Sequence, residues 1–260
     1  MLPASSTADA VPATRSAELV VMPAPEDVLE RFRLEVTRQQ LAEWLPLQPQ
    51  LLLDLSPSCP RLLDLMVERG HTVVHAVPTP ERLDVRAERP GRLHRLRADG
   101  RSLEWVTDGS VDGVVAEGGS LSTAPAAELT LEQIFRVLRP GGALLLSVDS
   151  LVAGLARLAD QGRWAELADV PSADVVLVPD GDGVSRCFWP EELHTMLTEA
   201  GFEVEWIRPR TVLADETVSH ALVADPGKLL SLVSLELSLA RSREGEAIGN
   251  RLFASARRPL

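Results

Sequence analysis

Residues 133–148 read Gln133-Ile134-Phe135-Arg136-Val137-Leu138-Arg139-Pro140-Gly141-Gly142-Ala143-Leu144-Leu145-Leu146-Ser147-Val148, and this stretch decides the architecture. Leu131, Ile134, Phe135 and Leu138 recur at helical spacing and make one apolar face. Pro140 prevents the helix from continuing, and the two glycines after it permit a reversal. Ala143 to Val148 is then a short apolar run of the kind a strand buried on both faces requires. Helix, tight turn and buried strand in that order form part of a parallel crossover unit.

The same alternation extends in both directions. Toward the N-terminus, Val111 to Ala116, Leu93 to Arg97, Thr72 to Val77 and Leu51 to Leu55 each read as strands. Between them, Pro60 to Gly70 carries Leu62, Leu63, Met66 and Val67 on one helical face, and Thr79-Pro80-Glu81 has the form of another helix start. Val28, Leu29, Phe32, Val36 and Leu41 with Trp44 and Leu45 predict a first helix from Pro25 to about Pro46. Toward the C-terminus a helix carries Leu151, Leu155 and Leu158, and an irregular stretch from Pro171 to Gly183 contains the strand-like Val175 to Val178. Trp189 to Gly201 reads as a helix, Phe202 to Ile207 as a strand, Leu229 to Leu239 as a helix and Leu252 to Ala256 as a last strand. Strands alternating with helices imply an α/β sheet, mostly parallel and covered on both faces. Such a sheet binds its ligands beyond the C-terminal ends of its strands, where the strand order reverses. Residues 1–24, rich in Ala, Ser, Thr and Pro without periodicity, read as a disordered tail. Residues 25–260 then read as a single domain with an insertion near 160–188.

The 260 residues carry 26 basic and 38 acidic side chains, a net charge of −12, which argues against a nucleic-acid partner. No apolar run approaches the roughly 18 residues needed to span a bilayer, and the first twenty residues do not read as a signal peptide. Cys59 and Cys187 are too few for a disulfide framework or a zinc cage and read as reduced thiols, so a cytoplasmic location is expected. No metal-ligand spacing is present. His71, His75 and His194 read as packing or surface groups rather than ligands. No Gly-x-Gly-x-x-Gly follows a strand, and no serine elbow or triad can be assigned, so no catalytic residue is named. Arg186 to Trp189 either line an acceptor pocket or staple the start of the late helix, the latter being the better reading.

The quoted stretch resembles the helix, turn and fifth strand of the class I S-adenosylmethionine-dependent methyltransferases. Trp189-Pro190-Glu191-Glu192-Leu193, leading to Ala200-Gly201-Phe202-Glu203-Val204, resembles the helix and sixth strand near that family's C-terminus. Weaker similarity runs from about Val28 to Arg258. The resemblance implies a Rossmann-like, doubly wound, seven-stranded sheet in three α/β/α layers. It also implies S-adenosyl-L-methionine as cofactor and methyl transfer to a small molecule as activity.

What the resemblance implies about the site is tempered by departures from the family pattern. The family's first loop is an acid followed by alternating glycines that donate N–H groups to the methionine end of the cofactor. Here Asp54 is followed by Leu55-Ser56-Pro57-Ser58-Cys59-Pro60, with no glycine and two residues lacking an N–H. The serine hydroxyls of Ser56 and Ser58 are the replacement donors available. Two readings stand for this loop: a modified cofactor loop, or a capped strand-to-helix turn that binds nothing. At the end of the second strand, Val77 occupies the place of the acid that would accept from the ribose hydroxyls. Two lost hydrogen bonds at about 0.5–1.5 kcal/mol each weaken binding about tenfold to a hundredfold. Asp99 and Gly100, after the third strand, match positions that meet the adenine, though an Asp-Gly turn alone explains them equally well. Glu117 and Gly118, after the fourth strand, fall where sulfonium and acceptor would meet, or form a glycine turn with a solvated acid. The expected cofactor positions are therefore Asp54, Ser56, Ser58, Val77, Asp99, Gly100, Glu117 and Gly118. The alternative function is a non-catalytic binding or partner subunit that has lost normal cofactor binding; a third class keeps the fold and runs another reaction.

Overall fold

A computed structural model describes residues 25–57, 60–77, 92–100, 102–173, 175–181 and 183–260. The tail 1–24, the helix start at Thr79-Pro80-Glu81, and Ser58 and Cys59 lie outside the described residues. The element order is α1 (Pro25–Trp44), β1 (Leu51–Asp54), α2 (Pro60–Glu68), β2 (Thr72–Val77), β3 (Leu93–Arg97), β4 (Val111–Ala116), α3 (Ala127–Val137) and β5 (Leu138–Ser150). There follow α4 (Leu151–Asp160), α5 (Trp164–Asp169), β6 (Val176–Asp180), β7 (Gly183–Phe188), α6 (Pro190–Glu199), β8 (Glu203–Arg210), α7 (Asp215–Ala224), α8 (Leu229–Ser242) and β9 (Arg251–Arg257).

The expected doubly wound, mostly parallel sheet is present. β3, β2, β1, β4 and β5 lie side by side and run parallel, and β9 enters antiparallel between β5 and β8. Seven strands were expected, and among the described residues the sheet has nine, because β6 and β7 form an antiparallel hairpin. β7 continues the sheet by pairing with Asp149 and Ser150 at the end of β5.

Both faces of the strands are buried, and period-two alternation sends neighbouring residues to opposite layers. Leu53, Val114, Leu144 and Leu146 pack with Leu131 and Ile134 of α3 and Leu193 of α6. Leu52, Val115 and Leu145 pack on the other face with Leu41 of α1 and Leu63 and Met66 of α2. Each such side chain is worth about 1.5–3 kcal/mol on removal from water. The front half of α1 leaves the sheet: Val28, Phe32 and Val36 pack with Val218 and Leu222 of α7 and Val233 of α8. Ion pairs Arg33–Asp215 and Glu43–Arg241 tie α1 to the same two helices. Among the described residues no helix is long and apolar enough to cross a membrane.

Some boundaries differ from the sequence expectation for local reasons. β5 begins at Leu138, not Ala143. Leu138 pairs with Val111, the ladder slips over Arg139–Gly142, and it resumes with Gly113 opposite Ala143. The Pro140-Gly141-Gly142 reversal is thus a large bulge in the strand, with Gly141 at φ +75°. β8 runs three residues beyond Ile207, because Arg208, Pro209 and Arg210 keep pairing with β9. A strand over 183–188 and a helix over 215–224 were not expected; Gly183, Ser185 and Arg186 break the apolar alternation that would have marked the first.

Candidate functional site

Two cavities open beside the C-terminal ends of the strands. The smaller, of about 270 Å³, is lined by Leu55, Ser56, Pro57, Ala76, Val77, Asp99, Gly100 and Ala116, with Ser120, Leu121, Thr123, Thr130 and Ile134 closing its far side. It lies between the end of β2 and the turns after β1, β3 and β4. Four of the expected positions, Ser56, Val77, Asp99 and Gly100, therefore meet in one pocket. The larger, a cleft of about 840 Å³, is lined by α1, α4 and the ends of β5, β8 and β9, and carries Glu117, Gly118, Asp149, Arg157, Arg210 and Arg251. Ser56 and Pro57 belong to both.

The wall between the cavities is built from the turns after β1 and β4. The Ser56 N–H donates to Asp54 Oδ1 at 3.2 Å. The Glu117 N–H donates to Ser56 Oγ at 2.9 Å, and the Gly118 N–H donates to Ser147 Oγ at 3.0 Å. Pro57 lies directly on Gly118: a Cβ there would sit 2.8 Å from Pro57 Cδ. Gly118 has φ +71°, a left-handed conformation that a side chain would disfavour as well.

The two expected acids in this region have partners within the protein. Asp54 is buried in the sheet, with Oδ2 2.7 Å from Nδ1 of the fully buried His75 on β2. It supports the loop from beneath and does not line either cavity. Glu117 is buried and faces Arg210, which donates to it twice, Nη1 to Oε2 at 2.7 Å and Nη2 to Oε1 at 3.0 Å. The Ser147 hydroxyl donates to the same Oε2 at 2.9 Å. Burial alone pushes the Glu117 carboxyl up, but the charge and hydrogen bonds of Arg210, with Ser147 and the more distant Arg251, outweigh it and hold the carboxyl below its usual range.

Arg210 is the residue that sequence reasoning missed. Its guanidinium lies 4.0 Å from the centre of the Phe253 ring. The next residue, Thr211, has φ 61°, an unusual conformation for a β-branched residue and one that costs about 1–3 kcal/mol. The loop holding it is pinned by the buried Glu236 of α8, which accepts the N–H groups of Val212 and Leu213 at 2.8 and 2.9 Å. The signal in the sequence was slight, since Arg210 lies three residues past Ile207, beyond the apolar part that marked the strand.

The cleft floor beyond Gly118 is charged. Asp149 accepts from Arg157 at 3.0 Å and from the Ser185 hydroxyl at 2.7 Å, and stands 3.5 Å from Arg251 Nε. α1 lines the cleft through Phe32, Leu34 and Val36. Among the described residues the 160–188 segment contributes only Asp160, because its hairpin lies beside the sheet end. Arg186 to Trp189 line neither cavity: Arg186 pairs with Glu128 and Glu192, and Phe188 is buried. Among the described residues no group of three His, Cys, Asp or Glu side chains is placed to hold a metal.

The smaller pocket has a mixed lining, with Asp99 and Gly100 at one end. In the wall beside it the Ser56, Glu117 and Gly118 N–H groups have acceptors within the protein, and Pro57 has no N–H to give.

Comparison with known proteins follows the same lines. A family model described as a methyltransferase domain matches residues 53–146, from the end of β1 through the pocket and α3 into β5. Proteins named as uncharacterized methyltransferases in Mycobacterium tuberculosis and Mycobacterium bovis are 33% identical over 180 residues, 68% of this chain and 66% of theirs. The chain thus spans just under two thirds of the length of these relatives. An S-adenosylmethionine-dependent methyltransferase from Mesorhizobium loti superposes with a TM-score of 0.59 at 15% identity, covering 86% of this chain and 98% of that one. A 1,6-didemethyltoxoflavin-N1-methyltransferase from Burkholderia thailandensis, solved with its substrate and S-adenosylhomocysteine, gives 0.52 at 17% identity, over 92% and 80% of the two chains.

Proposed function

We propose that this chain is a class I S-adenosylmethionine-dependent methyltransferase that methylates a small molecule, on the strength of the methyltransferase-domain match and of the relatives and structures it resembles. The observation that carries the proposal is the pair of cavities meeting at Ser56 and Pro57. One has the shape and lining for a nucleoside, and the other is a larger, partly charged cleft suited to an acceptor. The cofactor supplies an electrophilic methyl group on sulfur.

In this reading Asp99 and Gly100 bind the base edge, and Val77 packs against the ribose without the usual carboxylate. Asp54 acts indirectly by fixing Ser56, and Ser58 belongs to the same loop. Glu117 and Gly118 form the floor at which the two ligands approach, with Glu117 held charged by Arg210. Methyl transfer is an in-line displacement that draws mainly on proximity and exclusion of water, so no dedicated acid or base is required. α1 supplies the exclusion of water by covering the cleft with Phe32 and Val36.

Calorimetric titration with S-adenosylmethionine and S-adenosylhomocysteine tests the reading. Binding of both, followed by methyl transfer to a member of a small-molecule panel, is expected. Absence of heat up to millimolar ligand would leave a non-catalytic partner subunit as the function.

A further inference from the structure

We infer that the molecule methylated in the larger cleft carries a carboxylate, which the guanidinium of Arg251 binds at the cleft floor. The inference rests on the proposed methyltransferase function and deepens it by naming the chemical class of the acceptor.

Pairing across three strands places the charges. Arg251, at the start of β9, lies opposite Asp149 of β5 on one side and opposite Arg210 of β8 on the other. Residues opposite one another in antiparallel strands share a face, so two guanidiniums stand side by side, which is unfavourable without a counter-charge. The two carboxylates of the floor are already taken. Glu117 accepts from Arg210 with both oxygens. Asp149 Oδ2 accepts from Arg157 at 3.0 Å and from the Ser185 hydroxyl at 2.7 Å. Arg251 is left with Asp149 Oδ1 at 3.5 Å, beyond the roughly 2.7–2.9 Å of a charge-assisted hydrogen bond. Among the described residues Arg251 makes this one ion pair and no hydrogen bond. Three guanidiniums there face two carboxylates, and the floor carries one surplus positive charge in a chain whose net charge is −12. The other charged residues lining the cleft leave it uncancelled. Arg33 pairs with Asp215, Glu236 accepts the N–H groups of Val212 and Leu213, and Glu30 and Asp160 are exposed, where water screens them.

The free fork is also in the right place. A Cβ on Gly119, in the turn after β4, would lie 3.9 Å from Arg251 Nη2. The neighbours of Gly119 in that turn are Glu117 and Gly118, where the proposed function brings cofactor and acceptor together. The Arg251 side chain is 37% exposed, so a ligand in the cleft can reach it. A carboxylate matches the planar fork with two parallel hydrogen bonds, and its single charge cancels the surplus. A phosphate dianion would leave the floor negative beside Glu117 and Asp149, and an ammonium group would add to the positive charge.

The test titrates phenylacetate, phenylacetamide and phenyl phosphate calorimetrically into the full chain saturated with S-adenosylhomocysteine. Phenylacetate is expected to bind about tenfold more tightly than the uncharged amide, the worth of hydrogen bonds between charged groups, and more tightly than the phosphate. In Arg251→Gln the preference for acid over amide is expected to vanish while affinity for S-adenosylhomocysteine stays unchanged, which shows that the variant is folded and its nucleoside pocket intact. The comparison of acid with amide in the parent chain decides the question independently of any variant. Equal binding of acid and amide, or binding of neither, would overturn the inference and leave the methyltransferase reading standing. So would a preference that survives in Arg251→Gln, or tighter binding of the phosphate. Failure of S-adenosylhomocysteine to bind the parent chain would overturn both.

Discussion

Arg210 and Glu117 stand 93 residues apart in the chain and make a two-point ion pair at the end of the sheet, with N···O distances of 2.7 and 3.0 Å. The pair ties the turn after β4 to the end of β8 and forms part of the floor of the larger cleft. Both side chains are almost wholly buried, so each is the other's substitute for water.

Glu117→Gln keeps the shape and removes the charge, leaving a buried guanidinium uncompensated. A loss of about 3–5 kcal/mol is expected, measured as a lower urea midpoint at unchanged slope. Replacing both residues, Glu117→Gln with Arg210→Met, is expected to restore much of that loss, because no buried charge is left without a partner. An additive double variant would show that the pair does not couple.

The same pair sets an acid limit. The folded carboxyl of Glu117 titrates below its unfolded value, so the folded state binds its proton later than the unfolded state does. Its stabilisation is fully present above the unfolded value of about 4.3 and is lost as pH falls through the lower folded value. Thermal melting between pH 6 and pH 3 is expected to show a decline that begins near the ordinary carboxylate range. In the Glu117→Gln variant the decline is expected to be shallower.

Asp99 lines the small pocket beside Gly100. If it accepts from an exocyclic amino group, Asp99→Ala should weaken adenosine binding about tenfold, the worth of one such bond to a charged group. Purine riboside, which carries no amino group to donate, should bind the variant and the parent alike. Equal weakening of both nucleosides would place Asp99 away from the base edge.

Gly118→Ala meets two penalties, a left-handed backbone angle and the Pro57 ring 2.8 Å from the added carbon. The backbone term alone is about 1–2 kcal/mol. In a Pro57→Gly background the steric part disappears and only the backbone part remains. A double-mutant cycle on denaturation midpoints is therefore expected to show a coupling of about 1 kcal/mol between the two positions.

The parallel sheet was legible because its strands declare themselves locally. Leu51 to Asp54, Val111 to Ala116 and Ala143 to Val148 are short apolar runs next to turn residues, and α3 shows its face through Leu131, Ile134 and Leu138. The hairpin of β6 and β7 was half legible: Val176 to Val178 are apolar, but the partner strand mixes Gly183, Ser185 and Arg186 and closes only by pairing. In the site, the resemblance named Ser56, Val77, Asp99 and Gly100, and these four line one pocket in the structure. The missing glycines also had a direct meaning, since the fixed φ and absent N–H of Pro57 are covalent properties of the residue.

Which partner each acid takes could not be read the same way. Asp54 reaches His75 only because β1 lies beside β2 in the register that sets those two residues opposite one another. Glu117 reaches Arg210 only because β9 inserts antiparallel and brings β8 alongside, and because β8 continues three residues past its apolar part. The sequence by itself determined the layered α/β architecture and a first loop poor in backbone donors, for these depend on patterns and residue types within a few positions. Tertiary structure alone decided that the N–H groups of Ser56, Glu117 and Gly118 and the carboxylates of Asp54 and Glu117 meet partners inside the protein, and that Pro57 rests on Gly118. Those contacts join distant segments, and electrostatic and steric forces at a few ångströms act on positions in space, whatever their separation along the chain.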